Sequence, residues 1–491
     1  MKRWLLMMAA AAAFPLSAFA GSVNSITSGN WNSTSTWDTA TVPTSADTVS
    51  ITPGTGVTVP LGYAASANSI TIPGDITNPA SLSVNSSGAS LTVTNGISIQ
   101  GPTGTGLSNT LNVGQGTLTC ASLSIDAGTA GSTSIVQIST GQATVTGNVT
   151  FGGTTANAQL TFVNNGSITI GGNLADGGIF TAGVGQVTLN GATDQTLGGY
   201  SYNILLISKS GGKVSLTGNA AITTSITMQG GGFTDAGFTI TATGANFNQS
   251  AGTYTVNAST FPAFNAYSVT GGTITYAGAS NQTVSGGPSY QTLRVENLTG
   301  AGSPVKTSGA LISVVDLVVD KSGSGTVQFD TSSFNLNISG NLTNNSLISG
   351  SGSVNLMAAA SSVFGSGTFG TSGTVTFGGT TKTIDSAALL TFNSAISVAS
   401  STTVTNNGTV IASNTLDGVA AGSTWSQGAT GILYVGTSAM NTGVLDASAS
   451  GNLVNYNAAA AQTVKATTYH HLQLDGSGTK TLTGVSTIAG G

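Results

Sequence analysis

Residues 82 to 99, Leu82-Ser-Val-Asn-Ser-Ser-Gly-Ala-Ser-Leu-Thr-Val-Thr-Asn-Gly-Ile-Ser-Ile99, contain the pattern that decides the fold of this chain. Apolar residues alternate with serine or threonine, and Gly, Asn and Ser separate the alternating segments. A period of two is typical of β-strands that bury one face. Leu160-Thr-Phe162 and Ile168-Thr-Ile170 repeat the pattern, which continues from about Ser50 to the end of the chain. The sequence therefore predicts an all-β protein made of many short strands.

Two architectures accommodate such strands: a parallel β-solenoid and an array of antiparallel β-sandwich domains. Asn95-Gly96, Asn165-Gly166 and Asn407-Gly408 are typical of hairpin turns and favour antiparallel pairing. Asn and Gly also suit the left-handed corners of a solenoid. Because the texture of short strands is unbroken and no linker marks a domain boundary, we predict the solenoid and keep the sandwich array as the alternative.

A long repeat occurs four times between residue 187 and the end of the chain. Each copy has a strand, a polar corner, and then Gln-Thr or Lys-Thr before an apolar residue. The strands begin at Val187, Ile274, Val375 and Val454, and the Gln or Lys positions are Gln195, Gln282, Lys382 and Gln462. Three copies continue with Tyr-x-x-Leu, at Tyr202, Tyr290 and Tyr469, and a lysine follows that Leu by eight residues at Lys213 and Lys480.

These repeats predict a solenoid over residues 63–491, with long repeats near 187–230, 274–320, 375–405 and 454–491, each made of several coils. The fourth copy stops at Gly491, inside the repeat. We therefore expect the sequence to be the N-terminal part of a longer protein.

Residues 1–20 have the form of a secretory signal peptide. They begin with Lys2-Arg3, continue with an apolar run from 4 to 14, and end in Ser17-Ala-Phe-Ala20. The apolar run is shorter than the roughly 20 residues that a membrane-spanning helix needs. We predict cleavage after Ala20 and a mature chain that is secreted, extracellular or at the cell surface, without a transmembrane span.

Charge is scarce and unevenly placed. Charged residues make up 5% of the chain, with 10 Lys and Arg against 15 Asp and Glu. Residues 21 to 208 contain no Lys or Arg at all. Because nothing there neutralises phosphates, we predict no nucleic acid partner. The hydrophobic share of 39% is enough to bury a core, and the single cysteine, Cys120, is predicted to be a buried thiol in that core rather than a reactive one.

The segment from Gly29 to Ile51 contains Trp31, Trp37 and Asp47. It resembles the opening segment of large bacterial secreted and surface β-helix proteins, both adhesin-like and autotransporter-passenger-like. The segment from Tyr469 to Gly484 is similar to repeats of the same proteins. The resemblance implies a right-handed parallel β-helix whose N-terminal cap spans 21–62.

Within that cap, the two tryptophans are expected to cover the first coil, and Asp47 is expected to hydrogen-bond a turn. The alternative for Trp31 and Trp37 is an exposed platform for sugar rings. The evenly placed Tyr202, Tyr290 and Tyr469 raise the same alternative, and we predict that they belong to the core instead.

Catalysis on a β-helix needs carboxylates, or a base with a metal, clustered on one face. Asp316 and Asp320 share a face of one strand, and Arg294 and Glu296 lie about one coil earlier, so these four form the best candidate site. Charges at strand ends ordinarily serve as solvated edges, and we predict no catalytic residue.

His470 and His471 are the only histidines in the chain. As neighbours on a strand they are expected to point to opposite faces, which prevents them from sharing a metal. We predict no metal and no cofactor.

The composition and repeats favour a non-enzymatic extracellular structural or adhesive protein. In this prediction a rigid solenoid contacts cell surfaces or polysaccharides, or self-associates into rods or filaments. Two alternatives remain open: a carbohydrate-active β-helix enzyme, either a polysaccharide lyase or a hydrolase, and a carbohydrate-binding module.

Overall fold

A computed structural model describes residues 20–129, 131–153, 157–297, 302–321, 325–484 and 486–490. The predicted signal peptide lies outside the described residues, apart from Ala20. The chain forms two compact units. The first runs to Thr169 and includes Gly177–Gly185, and the second comprises Ile170–Asp176 and everything from Gln186 onward.

The first unit consists of short strands and, among its described residues, one 3-10 helix, Thr34–Thr36. The last residue of β15, Ile170, belongs to the second unit. The strands are β1 (Ser22–Asn24), β2 (Gly29–Asn30), β3 (Thr48–Ser50), β4 (Gly56–Thr58), β5 (Ala64–Ala67), β6 (Ser69–Ile72), β7 (Ser81–Val84), β8 (Ser90–Ile99), β9 (Ser108–Val113), β10 (Thr117–Asp126), β11 (Thr133–Ile138), β12 (Gln142–Val145), β13 (Val149–Gly152), β14 (Ala158–Phe162), β15 (Ser167–Ile170) and β16 (Ile179–Thr181).

The second unit also consists mainly of short strands. Its strands are β17 (Gln186–Leu189), β18 (Gln195–Leu197), β19 (Ser201–Leu216), β20 (Ala220–Thr234), β21 (Ile240–Thr241), β22 (Asn246–Gln249), β23 (Thr253–Val256), β24 (Ala266–Val269), β25 (Thr273–Tyr276), β26 (Gln282–Val284), β27 (Ser289–Asn297), β28 (Val305–Ser308), β29 (Ile312–Lys321), β30 (Gln328–Asp330), β31 (Leu336–Ile338), β32 (Leu342–Asn344), β33 (Leu347–Ser349), β34 (Val354–Leu356), β35 (Ala360–Phe364), β36 (Thr368–Phe369), β37 (Val375–Phe377), β38 (Thr381–Ile384), β39 (Leu389–Phe392), β40 (Ile396–Val398), β41 (Thr403–Asn406), β42 (Thr409–Ala412), β43 (Leu416–Gly418), β44 (Thr424–Gln427), β45 (Ile432–Val435), β46 (Val444–Asp446), β47 (Leu453–Tyr456), β48 (Gln462–Val464), β49 (Thr468–Tyr469), β50 (His471–Leu474), β51 (Lys480–Leu482) and β52 (Thr487–Ile488).

In the first unit, each strand pairs in parallel with the equivalent strand of the next coil. One sheet has the order β2, β4, β7, β9, β11, β14, β16. Its inward residues form a continuous apolar column, because residues in register point to the same side. The column is Val57, Leu82, Leu111, Val136, Leu160 and Phe180. Stacking equivalent apolar residues in this way builds the core.

The second unit repeats the arrangement over a ten-stranded parallel sheet, from β26 to β50. Phe329, Ile348, Phe369 and Phe392 follow one another in register within it. The rings of Phe369 and Phe392 are parallel, with centroids 4.5 Å apart. That distance is close to the spacing of neighbouring strands, so identical side chains stack directly from coil to coil.

The predicted parallel β-solenoid is confirmed, and the alternative of antiparallel sandwiches is wrong. The named strand pairs are parallel, and the antiparallel contact found among the described residues is an isolated bridge between Ser25 and Trp37. Asn95-Gly96 lies inside β8 rather than in a hairpin. At Gly408, a Cβ would meet the Asp385 carbonyl oxygen at 2.3 Å, so this glycine permits close approach of two coils.

Residues of the predicted cap already form coils. β1 pairs with β3, and β3 pairs with β6. Trp31 and Trp37 are buried, with ring centroids 5.1 Å apart, and the Trp37 indole N–H donates to the Trp31 carbonyl at 2.8 Å. Because neither ring is exposed, the sugar-platform alternative is wrong for both tryptophans. Asp47 accepts the backbone N–H of Thr44 at 2.8 Å, which confirms its predicted turn bond.

Candidate functional site

The candidate site of charged residues lies on β27 and β29, which pair so that Glu296 stands beside Asp320. The Arg294 guanidinium contacts both carboxylates: Nη2 is 2.7 Å from Asp320 Oδ2, and Nε donates to Glu296 Oε2. The structure therefore brings together three of the four candidate residues. The fourth, Asp316, instead accepts the backbone N–H of Asn341 at 2.7 Å.

The electrostatics of this cluster favour a structural role. Glu296 is buried, with 8% of its surface exposed. Burial lowers the pKa of Arg294, but the hydrogen bonds and charges of Glu296 and Asp320 outweigh it and hold that pKa above its usual value. The Asn345 amide also donates to Asp320 at 3.1 Å. Both carboxylates are thus bound to a fixed cation, and the arrangement ties two coils together.

The Gln of the long repeat caps a corner from inside. Gln282 is 4% exposed, and its Oε1 accepts the backbone N–H of Gly278 at 3.0 Å. Its amide nitrogen donates to the carbonyls of Val256, at 2.9 Å, and Ala258 in the preceding coil. The same three contacts recur at the equivalent positions, Gln195 and Gln462. In the third copy, Lys382 donates to the Ala358 carbonyl in place of the amide.

Lysines of the following coil complete these corners. Lys306 has no exposed surface, and its Nζ donates to the carbonyls of Gly278 and Ser280, the latter at 2.9 Å. Lys209 donates to the carbonyls of Gly191 and Thr193 and to Gln195 Oε1. Lys480 donates to the Ala458 carbonyl at 2.6 Å.

Burial lowers the pKa of Lys306 to about 8 and lowers those of Lys209 and Lys382 as well. The desolvated ammonium groups are held in place by oriented carbonyl dipoles rather than by carboxylates. With Lys465, which donates to the Asn441 carbonyl at 3.0 Å, five of the seven lysines beyond residue 20 bind backbone carbonyls.

The repeat tyrosines are core residues, as predicted. Tyr202, Tyr290 and Tyr469 are at most 1% exposed. The Tyr469 hydroxyl donates to the Lys465 carbonyl at 2.6 Å and lies 3.2 Å from the hydroxyl of Tyr456. Tyr290 makes the corresponding contacts with Ser285 and Tyr276.

The prediction that the two histidines point to opposite faces is wrong. The rings of His470 and His471 lie edge to face, with centroids 4.2 Å apart. β49 ends at Tyr469 and β50 begins at His471, so a bend at His470 interrupts the alternation. His470 Nδ1 accepts the backbone N–H of Gly451 at 3.1 Å. His470 therefore supports a turn. No group of three or more His, Cys, Asp or Glu side chains suited to a metal occurs in the described part of the chain.

Cys120 is a free, buried thiol, as predicted. Burial raises the pKa of this thiol to about 12. The thiolate is the reactive form, so the folded protein keeps Cys120 inert.

Sequence reasoning missed a polar groove in the first unit. It has a volume of about 450 Å³ and is lined by Asn85, Asn112, Gln115, Gln137 and Ser139, together with Val163. Asn112 and Gln137 are register partners on β9 and β11, and Val163 is 53% exposed. Amide side chains beside an exposed apolar residue form a neutral surface with both donors and acceptors.

Sequence reasoning also missed Lys209 and Lys306, because the number of residues between each Gln and its lysine varies. Gln462 is the register partner of Lys480, and Gln282 is the register partner of Lys306, although 18 residues separate the first pair and 24 the second. The fixed spacing of eight residues after Leu205 points instead to Lys213, which is exposed. The available signal was composition, because a lysine in an otherwise uncharged strand marks a specific partner.

No protein-family model matches the chain, and no curated protein and no solved structure is detectably similar to it. In the described part of the chain, no helix is both long enough and apolar enough to cross a bilayer.

Proposed function

We propose that this chain is a non-enzymatic extracellular protein with a structural or adhesive role. The observation that carries the proposal is that most of its few basic side chains bind groups of the protein itself. Five lysines and three glutamines bind backbone carbonyls of neighbouring coils, and Arg294 binds the two carboxylates beside it. Charged and amide groups that an enzyme would direct toward a substrate are directed here toward the backbone.

The composition supports an extracellular setting. The residues from 21 to 208 have no site for a protease that cuts after Lys or Arg. Elsewhere, carbonyl-bound lysines such as Lys306 and Lys382 are buried, which shields them from such enzymes. Backbone hydrogen bonds from coil to coil stabilise the structure with little dependence on salt, since they involve no exposed ion pairs.

The test combines export, adhesion and depolymerisation. The full chain is expressed in a bacterium, and we expect the protein outside the cytoplasm with Gly21 at its N-terminus. Purified protein is then measured for retention on polysaccharide-coated and cell-wall-coated surfaces, and for self-association by sedimentation velocity. Cytoplasmic retention of the full chain, or neither retention on a surface nor self-association, contradicts the proposal.

The enzymatic alternative has its own readout. The same polysaccharides are assayed for new reducing ends and for unsaturated products. Wild type, Glu296→Gln and Asp320→Asn are compared, because these two carboxylates lie in the cluster of charged residues. Release of oligosaccharides that is lost in either variant replaces the structural role with a catalytic one.

The groove of the first unit favours a second candidate function, binding of a neutral carbohydrate. A ligand there meets amide groups and the exposed Val163, and no Lys, Arg or His lies between residues 21 and 208 to recognise an anion. Affinity electrophoresis in neutral polysaccharides compares wild type with Asn112→Ala and Gln137→Ala. Asn95→Ala is the control, because Asn95 is exposed and bonds Asn68 outside the groove. Equal mobility of all four proteins rejects this candidate.

A further inference from the structure

Two acidic side chains are buried in the described part of the chain, Asp235 and Glu296. Glu296 has a fixed counter-ion in Arg294. Asp235, which is 1% exposed, forms no salt bridge with any described residue. Buried carboxylates in proteins are normally paired with a cation or bound to a metal ion. Asp235 therefore has no cationic partner among the described residues.

The two oxygens of the Asp235 carboxylate differ in their surroundings. Oδ1 accepts three backbone N–H groups, from Gly237 at 2.9 Å, Asn257 at 2.8 Å and Ala258 at 3.0 Å. Oδ2 is buried without any hydrogen-bond partner in the described structure. In its charged state, the carboxylate thus has one buried oxygen that no described donor reaches.

A cavity of about 140 Å³ adjoins Asp235. Its lining includes three hydroxyl-bearing residues, Thr239, Ser259 and Thr260. The space is large enough for an ion with bound water. Tyr254, whose hydroxyl also has no partner in the described structure, is close enough to feel the charge of Asp235. Burial, and after it the charge of Asp235, raises the pKa of that tyrosine.

We propose that this cavity is a binding site for a hard divalent cation of the calcium type, with Asp235 Oδ2 as the anionic ligand. Hydroxyl and backbone oxygens around the cavity, together with water, supply the neutral ligands. Oxygen-only coordination with few charged ligands is characteristic of weak extracellular calcium sites, which fill at roughly 0.1–1 mM. The ion supplies the counter-charge that Arg294 supplies to Glu296.

The test uses the full chain in buffer of constant ionic strength, with CaCl₂ as the titrant. We expect the unfolding temperature of wild type to rise with calcium concentration, because an ion that binds only the folded state stabilises it. Asp235→Asn keeps an oxygen for the three N–H groups and removes the charge, so calcium no longer shifts its unfolding temperature. Asp385→Asn is the matched control, since Asp385 accepts a backbone N–H in a turn and lies outside the cavity, and it keeps the calcium response.

Terbium luminescence tests the location independently. A bound terbium ion near Tyr254 is sensitised by excitation of that ring, so Tyr254→Phe loses most of the emission yet keeps the calcium-dependent shift. Asp235→Asn is checked for folding by far-UV circular dichroism. If it folds poorly, the terbium emission and the calcium-dependent shift of Tyr254→Phe still test whether the ion binds in this cavity. Equal calcium shifts in wild type and folded Asp235→Asn, a shift with NaCl but not CaCl₂, or unchanged emission in Tyr254→Phe overturns the proposal.

Discussion

Replacing Lys306 with methionine tests whether buried ammonium groups hold the corners of the solenoid. Methionine keeps the volume of the stem and removes the Nζ that donates to Gly278 and Ser280. Two hydrogen bonds from a charged donor contribute roughly 3–6 kcal/mol. The desolvation that lowers the pKa from 10.5 to about 8 opposes them, by roughly 3 kcal/mol before allowance for screening. We expect a net loss of about 2 kcal/mol in the free energy of unfolding.

The dependence on pH carries a separate signature. The folded-state pKa of Lys306, about 8, is below the ordinary lysine value of 10.5, so the unfolded chain binds more protons between these values. The contribution of this group to stability therefore rises with pH across that window and is lost as pH falls through 8. Between pH 7.5 and 9.5, the gap in unfolding free energy between wild type and Lys306→Met is expected to widen by about 2 kcal/mol.

Urea unfolding followed by far-UV circular dichroism measures both effects. Lys213→Met is the matched control, because Lys213 also lies in a copy of the long repeat but is exposed. The reasoning is refuted if Lys306→Met and Lys213→Met have the same urea midpoint, or if the gap from wild type stays constant with pH.

Further substitutions and one labelling experiment test other side-chain contacts of the solenoid. Arg294→Ala leaves Glu296 buried without its cation, and we expect a loss of about 1–2 kcal/mol that shrinks when Glu296→Gln is added in a double-mutant cycle. Tyr469→Phe removes the hydroxyl that donates to Lys465, which costs about 1 kcal/mol in urea unfolding. Tyr434→Phe, on the half-buried outward side of β45, should change little. Cys120, with its pKa raised to about 12 by burial, should resist a thiol reagent at pH 8 until the protein unfolds, and rapid labelling of the native protein would contradict its burial.

Much of the fold followed from local pattern. Period-two segments such as Leu91-Thr-Val93 predicted strands with one buried face, and both apolar residues are buried in β8. The repeats place Gln195, Gln282 and Gln462 at equivalent positions, and all three are buried at corners. The burial of Cys120 and of the repeat tyrosines followed from the same alternation.

The candidate site was predicted less completely. The clustering of Arg294, Glu296 and Asp320 followed from strand geometry, because a coil returns the chain to the neighbouring strand. The prediction that His470 and His471 point to opposite faces was wrong. Alternation holds only inside a strand, and a bend separates β49 from β50. The unpartnered Oδ2 of Asp235 could not be predicted from the sequence. It depends on the tertiary structure, in which three backbone N–H groups all point at Oδ1.

The sequence by itself determined that this chain forms short strands, which side of each strand is apolar, and which glutamines repeat. The tertiary structure alone decided that the strands pair in parallel, and which carbonyl each buried lysine binds. The reason is coil length. Neighbouring coils bring together residues 18 apart at Asn337 and Asn355 but 29 apart at Ala80 and Asn109. Alternation is a property of adjacent residues, whereas contacts between coils depend on how much chain each corner takes up, and the periodic pattern does not encode that length.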